Sequence, residues 1–121
     1  MNFIEMNGSK KMRGAKMREL TRIEEQILLI INDLGSEAYL VAIKDRLHEL
    51  TGKQLDVATI YVPLKRLFKE GVLNEERGKP ESKRGGKAKT YYKITDKGFE
   101  MLSEIKKVQD KLWEGYLVWD L

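Results

Sequence analysis

The chain has 121 residues, of which 35% are charged and 41% hydrophobic, the composition of one globular domain rather than of a disordered chain. It contains no cysteine, which excludes a disulfide scaffold, a thiolate metal site and a cysteine nucleophile. Apolar runs such as Ile27 to Ile31 are far too short to span a bilayer, and no apolar stretch follows the N-terminal lysines and arginines, so neither a membrane anchor nor a secretory signal is expected. The formal net charge is +4, and its distribution is uneven. Residues 1–20 carry five Lys/Arg against two Glu, and residues 77–93 carry seven against one; the remaining stretches are slightly acidic. Two short cationic segments on a neutral-to-acidic body point to a polyanionic partner.

Residues 1–19 show no sustained periodicity, contain Gly8, Ser9 and Gly14, and are expected to form a basic, disordered tail. Thr21 and Glu24 then stand at the spacing of a capping box. Ile23, Ile27, Ile30, Ile31 and Leu34 follow at helical spacing, with Leu28 and Leu29 widening the stripe and Gly35 as the stop. A second helix is expected over about 37–50, with Ser36 as cap and Leu40, Ile43, Leu47 and Leu50 as its stripe. The third is expected over 57–70, capped by Asp56, stopped by Gly71, with Val57, Ile60, Leu64, Leu67 and Phe68 inward. Pro63 breaks its pattern, so this helix should either start near Thr59 or kink at the proline.

Periodicity then changes. Residues 72–77 and 88–94 read as strands, with Tyr92 and Ile94 inward, joined by a long loop of turn residues and cations around Gly85-Gly86. Thr95 caps a final helix, with Asp96 in its first turn. Met101, Ile105, Val108, Leu112 and then Gly115 or Tyr116 fall close to a heptad seam. A helix reaching residue 118 would be ~35 Å long, more than so small a core can cover. It should therefore pair with a second copy, Leu28 and Leu29 of the first helix contributing alongside Met101, Ile105, Val108, Leu112 and Tyr116.

Three helices followed by a hairpin is the order of a winged helix-turn-helix: a mainly α, α+β fold with a two-stranded wing and a long C-terminal dimerisation helix. Residues 20–95 would form the DNA-binding domain and residues 96–121 the dimerisation helix. In such folds the third helix enters the major groove and the wing touches the backbone or minor groove. Opposite the core stripe, the third helix presents Ala58, Thr59, Val62, Arg66 and Lys69, with Tyr61 at the border. Small residues near its start let the backbone approach bases, a methyl can meet thymine, and the later cations and the Tyr61 hydroxyl suit phosphates. In the wing, Lys83, Arg84, Lys87 and Lys89 flank the two glycines and would displace condensed counterions from a duplex.

At these residues the chain resembles the PadR-like transcriptional regulators. The likeness runs over about residues 20–118 and rests on Ala58 to Leu67, Glu70-Gly71-Val72-Leu73, Arg84 to Lys89, Tyr91 to Gly98 and Met101-Leu102. Leu40 departs from it, standing where the family usually has glycine, and the chain is similar to the compact branch with a single C-terminal helix. The resemblance implies a cytoplasmic homodimer that represses promoters by binding a pseudo-palindromic operator in double-stranded DNA. It also suggests an effector site for a planar aromatic molecule at the dimer centre, here lined by Trp113, Tyr116 and Trp119.

Other classes fare worse. The lone His48 lies on a predicted helix, Glu24-Glu25 and Glu75-Glu76 are neighbours that read as caps or solvated faces, and Gly85-Gly86 lacks the strand–loop–helix setting of a nucleotide loop. No enzyme, cofactor or metal site is expected. The alternatives are a winged helix that binds an acidic protein, and a basic protein that binds duplex without sequence preference.

Overall fold

The Thr21 capping box forms as the spacing predicts. The Glu24 N–H donates to the Thr21 hydroxyl at 3.2 Å and the Thr21 N–H donates to the Glu24 carboxylate at 2.9 Å. It opens α1 (Arg22–Leu34) in a computed structural model that describes residues 18–78 and 88–119, with side chains as far as 116. A 3-10 turn (Gly35–Glu37) leads to α2 (Leu40–Thr51) and α3 (Val57–Lys69). Then come β1 (Leu73–Arg77), β2 (Thr90–Ile94) and α4 (Asp96–Trp119).

The core lies between α1, α2, α3 and the sheet. Ile27 and Ile31 of α1, Ile43 and Leu47 of α2, and Ile60, Leu64 and Leu67 of α3 meet there, with Leu73 and Tyr92 closing it from the strands. The strands are antiparallel, Leu73 opposite Ile94 and Arg77 opposite Thr90. Tyr92 is buried as expected, and Ile94 packs half-buried at the margin.

Several sequence expectations need correction. The second helix starts at Leu40, not near residue 37, and Ser36 does not cap it. The residues before it serve the sheet instead: the Tyr92 N–H donates to the Ala38 carbonyl at 2.9 Å, and Tyr39 forms a bridge with Tyr91. This isolated bridge ties the chain before α2 to the edge of β2 at Tyr91. Leu50, expected inside, is 61% exposed because it lies on the last turn of α2, past the core. Val57 and Phe68 are also exposed, at the margins of a stripe completed instead by buried Pro63. The α3 helix does not start late; it runs from Val57 through that proline, giving up one backbone bond in exchange for apolar burial. Leu28 does not face water: it is 0% exposed within the single chain, so it has no surface to offer a partner. Met101 likewise belongs to this core, whereas Leu29 is half exposed.

The junction of α3, wing and α4 is tight. Gly71 turns the chain out of α3 at φ +79, a conformation that side chains resist. The Thr95 hydroxyl lies 2.6 Å from the Gly71 carbonyl oxygen, to which it donates, and accepts the Gly98 N–H at 3.2 Å. Lys97 Nζ donates to the Glu70 carbonyl at 2.8 Å. Gly98 is buried so closely that a Cβ there would stand 2.7 Å from the Val72 carbonyl oxygen and 2.6 Å from Ile94 Cγ2. Replacing Gly98 by Ala should therefore destabilise the fold by roughly 1–3 kcal/mol, the usual cost of overpacking. Chemical denaturation should show a lower midpoint with an unchanged slope.

Candidate nucleic-acid interface

The α3 helix is held at its start by Asp56, whose carboxylate accepts both the Thr59 hydroxyl at 2.6 Å and the Thr59 N–H at 2.8 Å. These two bonds, the hydroxyl first, hold the Asp56 carboxyl below its usual pKa. Thr59 is exposed as expected, but its hydroxyl proton is committed to the cap. Away from the core stripe, Ala58, Val62, Lys65 and Lys69 follow at steps of four, three and four, one line along the helix. Ala58, Val62 and Lys69 are exposed, as is Tyr61 beside the line. Lys65 leans away from it: Nζ donates to Glu75 of β1 at 2.7 Å and lies 5.8 Å from the Tyr61 ring centroid and 5.2 Å from that of Phe68. The Glu75 bond raises the Lys65 pKa, so this tie between α3 and the wing stays charged.

Arg66 is only partly available to a ligand. Its Nε donates to Glu24 Oε2 at 2.9 Å, across α3 and α1. Glu24 is the one buried charged residue among the described residues. Its carboxylate also takes both terminal nitrogens of Arg18, each at 2.8 Å, besides the Thr21 N–H of the capping box. Arg18 in turn reaches Glu70 at the end of α3, at 2.8 and 3.0 Å. Burial by itself would raise the Glu24 pKa; the bonds from Arg18, Thr21 and Arg66 outweigh it and hold the carboxyl at about 2. In the sequence, Glu24 reads as a cap and Arg18 as tail. Only the position of Glu24 on the stripe of Ile27, Leu28 and Ile31 hints at burial.

On the wing, Lys89 stands over the Tyr39 ring with Nζ 4.0 Å from its centroid, and Tyr39 packs edge-on against Tyr91 with centroids 5.6 Å apart. Lys83, Arg84 and Lys87, with Gly85-Gly86, lie outside the described residues. At the opposite end, α4 leaves the core after Met101. Ile105 is half-buried, Val108 is 56% and Leu112 68% exposed, and Trp113 packs edge-on against Tyr116 with centroids 5.1 Å apart. The Trp119 side chain lies outside the described residues.

The pattern of the transcriptional regulator PadR-like family matches residues 27–104, across α1, the helical core, the wing and the first half of α4. The chain belongs to that family. Solved structures agree. A PadR-like transcription factor from Bacteroides fragilis is 26% identical with a TM-score of 0.66, over 88% of this chain and 92% of that one. A PadR-like regulator from Bacillus cereus is 28% identical with a TM-score of 0.63, over 89% and 93%. A PadR family regulator from Clostridium difficile is 26% identical, also with a TM-score of 0.63, over 80% and 99%. A search of curated protein sequences finds no match. The winged-helix fold and the role of a DNA-binding transcriptional regulator, not an enzyme, are those of this PadR-like family. No helix among the described residues is long and apolar enough to cross a membrane.

The Glu24 cluster makes a pH-dependent prediction. A carboxyl held at about 2 when folded and near 4.5 when unfolded stabilises the protein fully above the higher value. That contribution is lost as pH falls from about 4.5 towards about 2, because there the unfolded chain binds the extra proton. Glu24→Gln should cost about 2 kcal/mol at neutral pH, the worth of hydrogen bonds to charged groups. It should also flatten the acid limb of a plot of unfolding free energy against pH.

Proposed function

We propose that the protein binds a pseudo-palindromic DNA operator as a homodimer, with α3 in the major groove and the wing on the backbone, and represses transcription in the cytoplasm. The observation that carries the DNA side is the exposed line of α3 beginning at Ala58, next to a wing tied to that helix by Lys65 and Glu75. A helix start with small residues admits close approach to bases, and the wing's sequence supplies the cations. Residues 20–95 would act as the DNA-binding unit and residues 96–121 as the dimerisation helix. Ala58, Thr59 and Val62 would face bases, while Tyr61, Lys69, Lys89 and the remaining nitrogens of Arg66 would face phosphates, with Lys83, Arg84 and Lys87 added from the loop. Repression is what the resemblance to PadR-like regulators implies.

The dimer reading is supported by apolar surface on α4 that the single chain leaves bare. Val108, Leu112, Trp113 and Tyr116 are all more than half exposed, and Ile105 and Val108 edge an open groove with Leu20 and Met101 of about 360 Å³. Leu29 of α1 adds to it. Exposed apolar surface of this extent marks an association site. The aromatic end, Trp113 and Tyr116 with Trp119 by sequence, is the proposed place for a planar aromatic effector between paired helices. Saturable quenching of tryptophan fluorescence by a planar cationic dye at micromolar concentration is the expected sign.

Two measurements test the proposal. Light scattering at micromolar concentration should give a dimeric mass, and Leu112→Asp should give a monomer with weakened operator binding, since two half-sites are no longer held together. A monomeric wild type would overturn the dimer. Replacing Lys83 or Arg84 by Ala should weaken operator and random duplex alike and lower the salt slope by about one unit for each phosphate no longer neutralised. Wild-type protein that prefers no sequence would favour the basic, non-specific alternative.

A further inference from the structure

Three hydrogen-bonding side chains of α3 are engaged from inside the protein: Thr59, Lys65 and, through one of its nitrogens, Arg66. The residues of α3 include no Asn or Gln, which read adenine, and no Asp or Glu, which read cytosine. Its single arginine, Arg66, has Nε on the buried Glu24 carboxylate at 2.9 Å. Lys65 places its ammonium on Glu75 at 2.7 Å, and the Thr59 hydroxyl donates to Asp56 at 2.6 Å. Lys69 stands on the last turn, about 16 Å along the axis from Ala58. A recognition helix contacts base edges chiefly with its N-terminal turns. Besides the Tyr61 ring and the capped Thr59, what those turns hold outward is aliphatic: Ala58 and Val62, one turn apart on the exposed line, Val62 with 55% of its surface open to solvent.

In the major groove the only apolar group on any base edge is the C5-methyl of thymine. We infer that α3 reads thymine methyl groups, Ala58 and Val62 each packing against a thymine of the half-site. This rests on the DNA-binding reading above and specifies its chemistry. The polar residues of the helix then set its position rather than its sequence choice: Arg66 and Lys65 lock it to α1 and to the wing, and Thr59 locks its start. Specificity so built is modest per base and depends on close approach, which the small Ala58 side chain permits.

The test uses the full-length protein and an operator obtained by selection from a random duplex pool. Each thymine is replaced in turn by deoxyuridine, which removes the C5-methyl and keeps Watson–Crick pairing. Individual positions in each half-site should lose affinity on the order of fourfold, the fold-change of one buried methyl-sized group. Val62→Ala should abolish the thymine-over-uracil preference at one of those positions, and Ala58→Gly at another. Far-ultraviolet circular dichroism matching that of wild type shows that either variant is folded. Indifference to deoxyuridine at every position, with sequence preference intact, overturns the inference and leaves the DNA-binding reading standing. So does loss of affinity with 7-deazaguanine but not with deoxyuridine, which would make Arg66 or Lys69 the reader. Variants that keep the wild-type thymine-over-uracil ratio at all positions overturn it as well. A protein that binds no duplex at all overturns the DNA-binding reading together with this one.

Discussion

A carboxylate removed from water must be fully paired, and the arrangement of this protein's first and third helices follows from how Glu24 meets that demand. Its two oxygens take hydrogen bonds from Arg18 before α1, from the Thr21 backbone at the start of α1 and from Arg66 within α3. Two neighbouring points at the entry to α1 and a third, forty-two residues beyond Glu24, converge on one charge. Arg18 extends the cluster to Glu70, so the last turn of α3 and the residue that caps it are referred to the same anchor. Apolar contacts between Ile27, Ile60 and Leu64 hold the helices together but tolerate sliding. The charged bonds are directional and fix the rotation of α3 about its axis, which decides which side chains face outward.

The second constraint is the junction after α3. Gly71, Thr95, Lys97 and Gly98 bring the end of α3, the base of the wing and the start of α4 into contact through backbone groups rather than side-chain packing. Lys65 and Glu75 add a second tie further along, between the outer side of α3 and β1. The end of α3, the base of the wing and the start of α4 are thus held together at one junction.

These internal ties have a cost at the surface. Every strongly polar side chain in the first three turns of α3 is drawn toward a neighbour, Thr59 to Asp56, Lys65 to Glu75 and Arg66 to Glu24. Rigidity and outward hydrogen bonding compete for the same atoms. The bonds that are made favour rigidity, and the exposed line keeps Ala58 and Val62 near its start and Lys69 at its end.

The order of elements, their caps and their inward faces can be read from the chain because these are local properties. Thr21 with Glu24, Asp56 and Thr95 act within a few residues, and a stripe such as Ile60, Leu64 and Leu67 repeats with the helix itself. The family can be read as well, from motifs spaced over the wing and third helix. What the chain alone does not disclose is anything that depends on a distant partner. The start of α2 lies at Leu40 because Ala38 and Tyr39 are bonded to β2 instead. Leu28, one position of an α1 stripe apolar almost all round, goes to the core because α1 is wrapped on more sides than periodicity implies. Arg66 looks like an outward cation, yet its Nε bonds a carboxylate forty-two residues earlier. Sequence determines which groups can pair; only the tertiary fold, by bringing Arg18 and Arg66 within hydrogen-bond distance of the buried Glu24 carboxylate, decides which of them do.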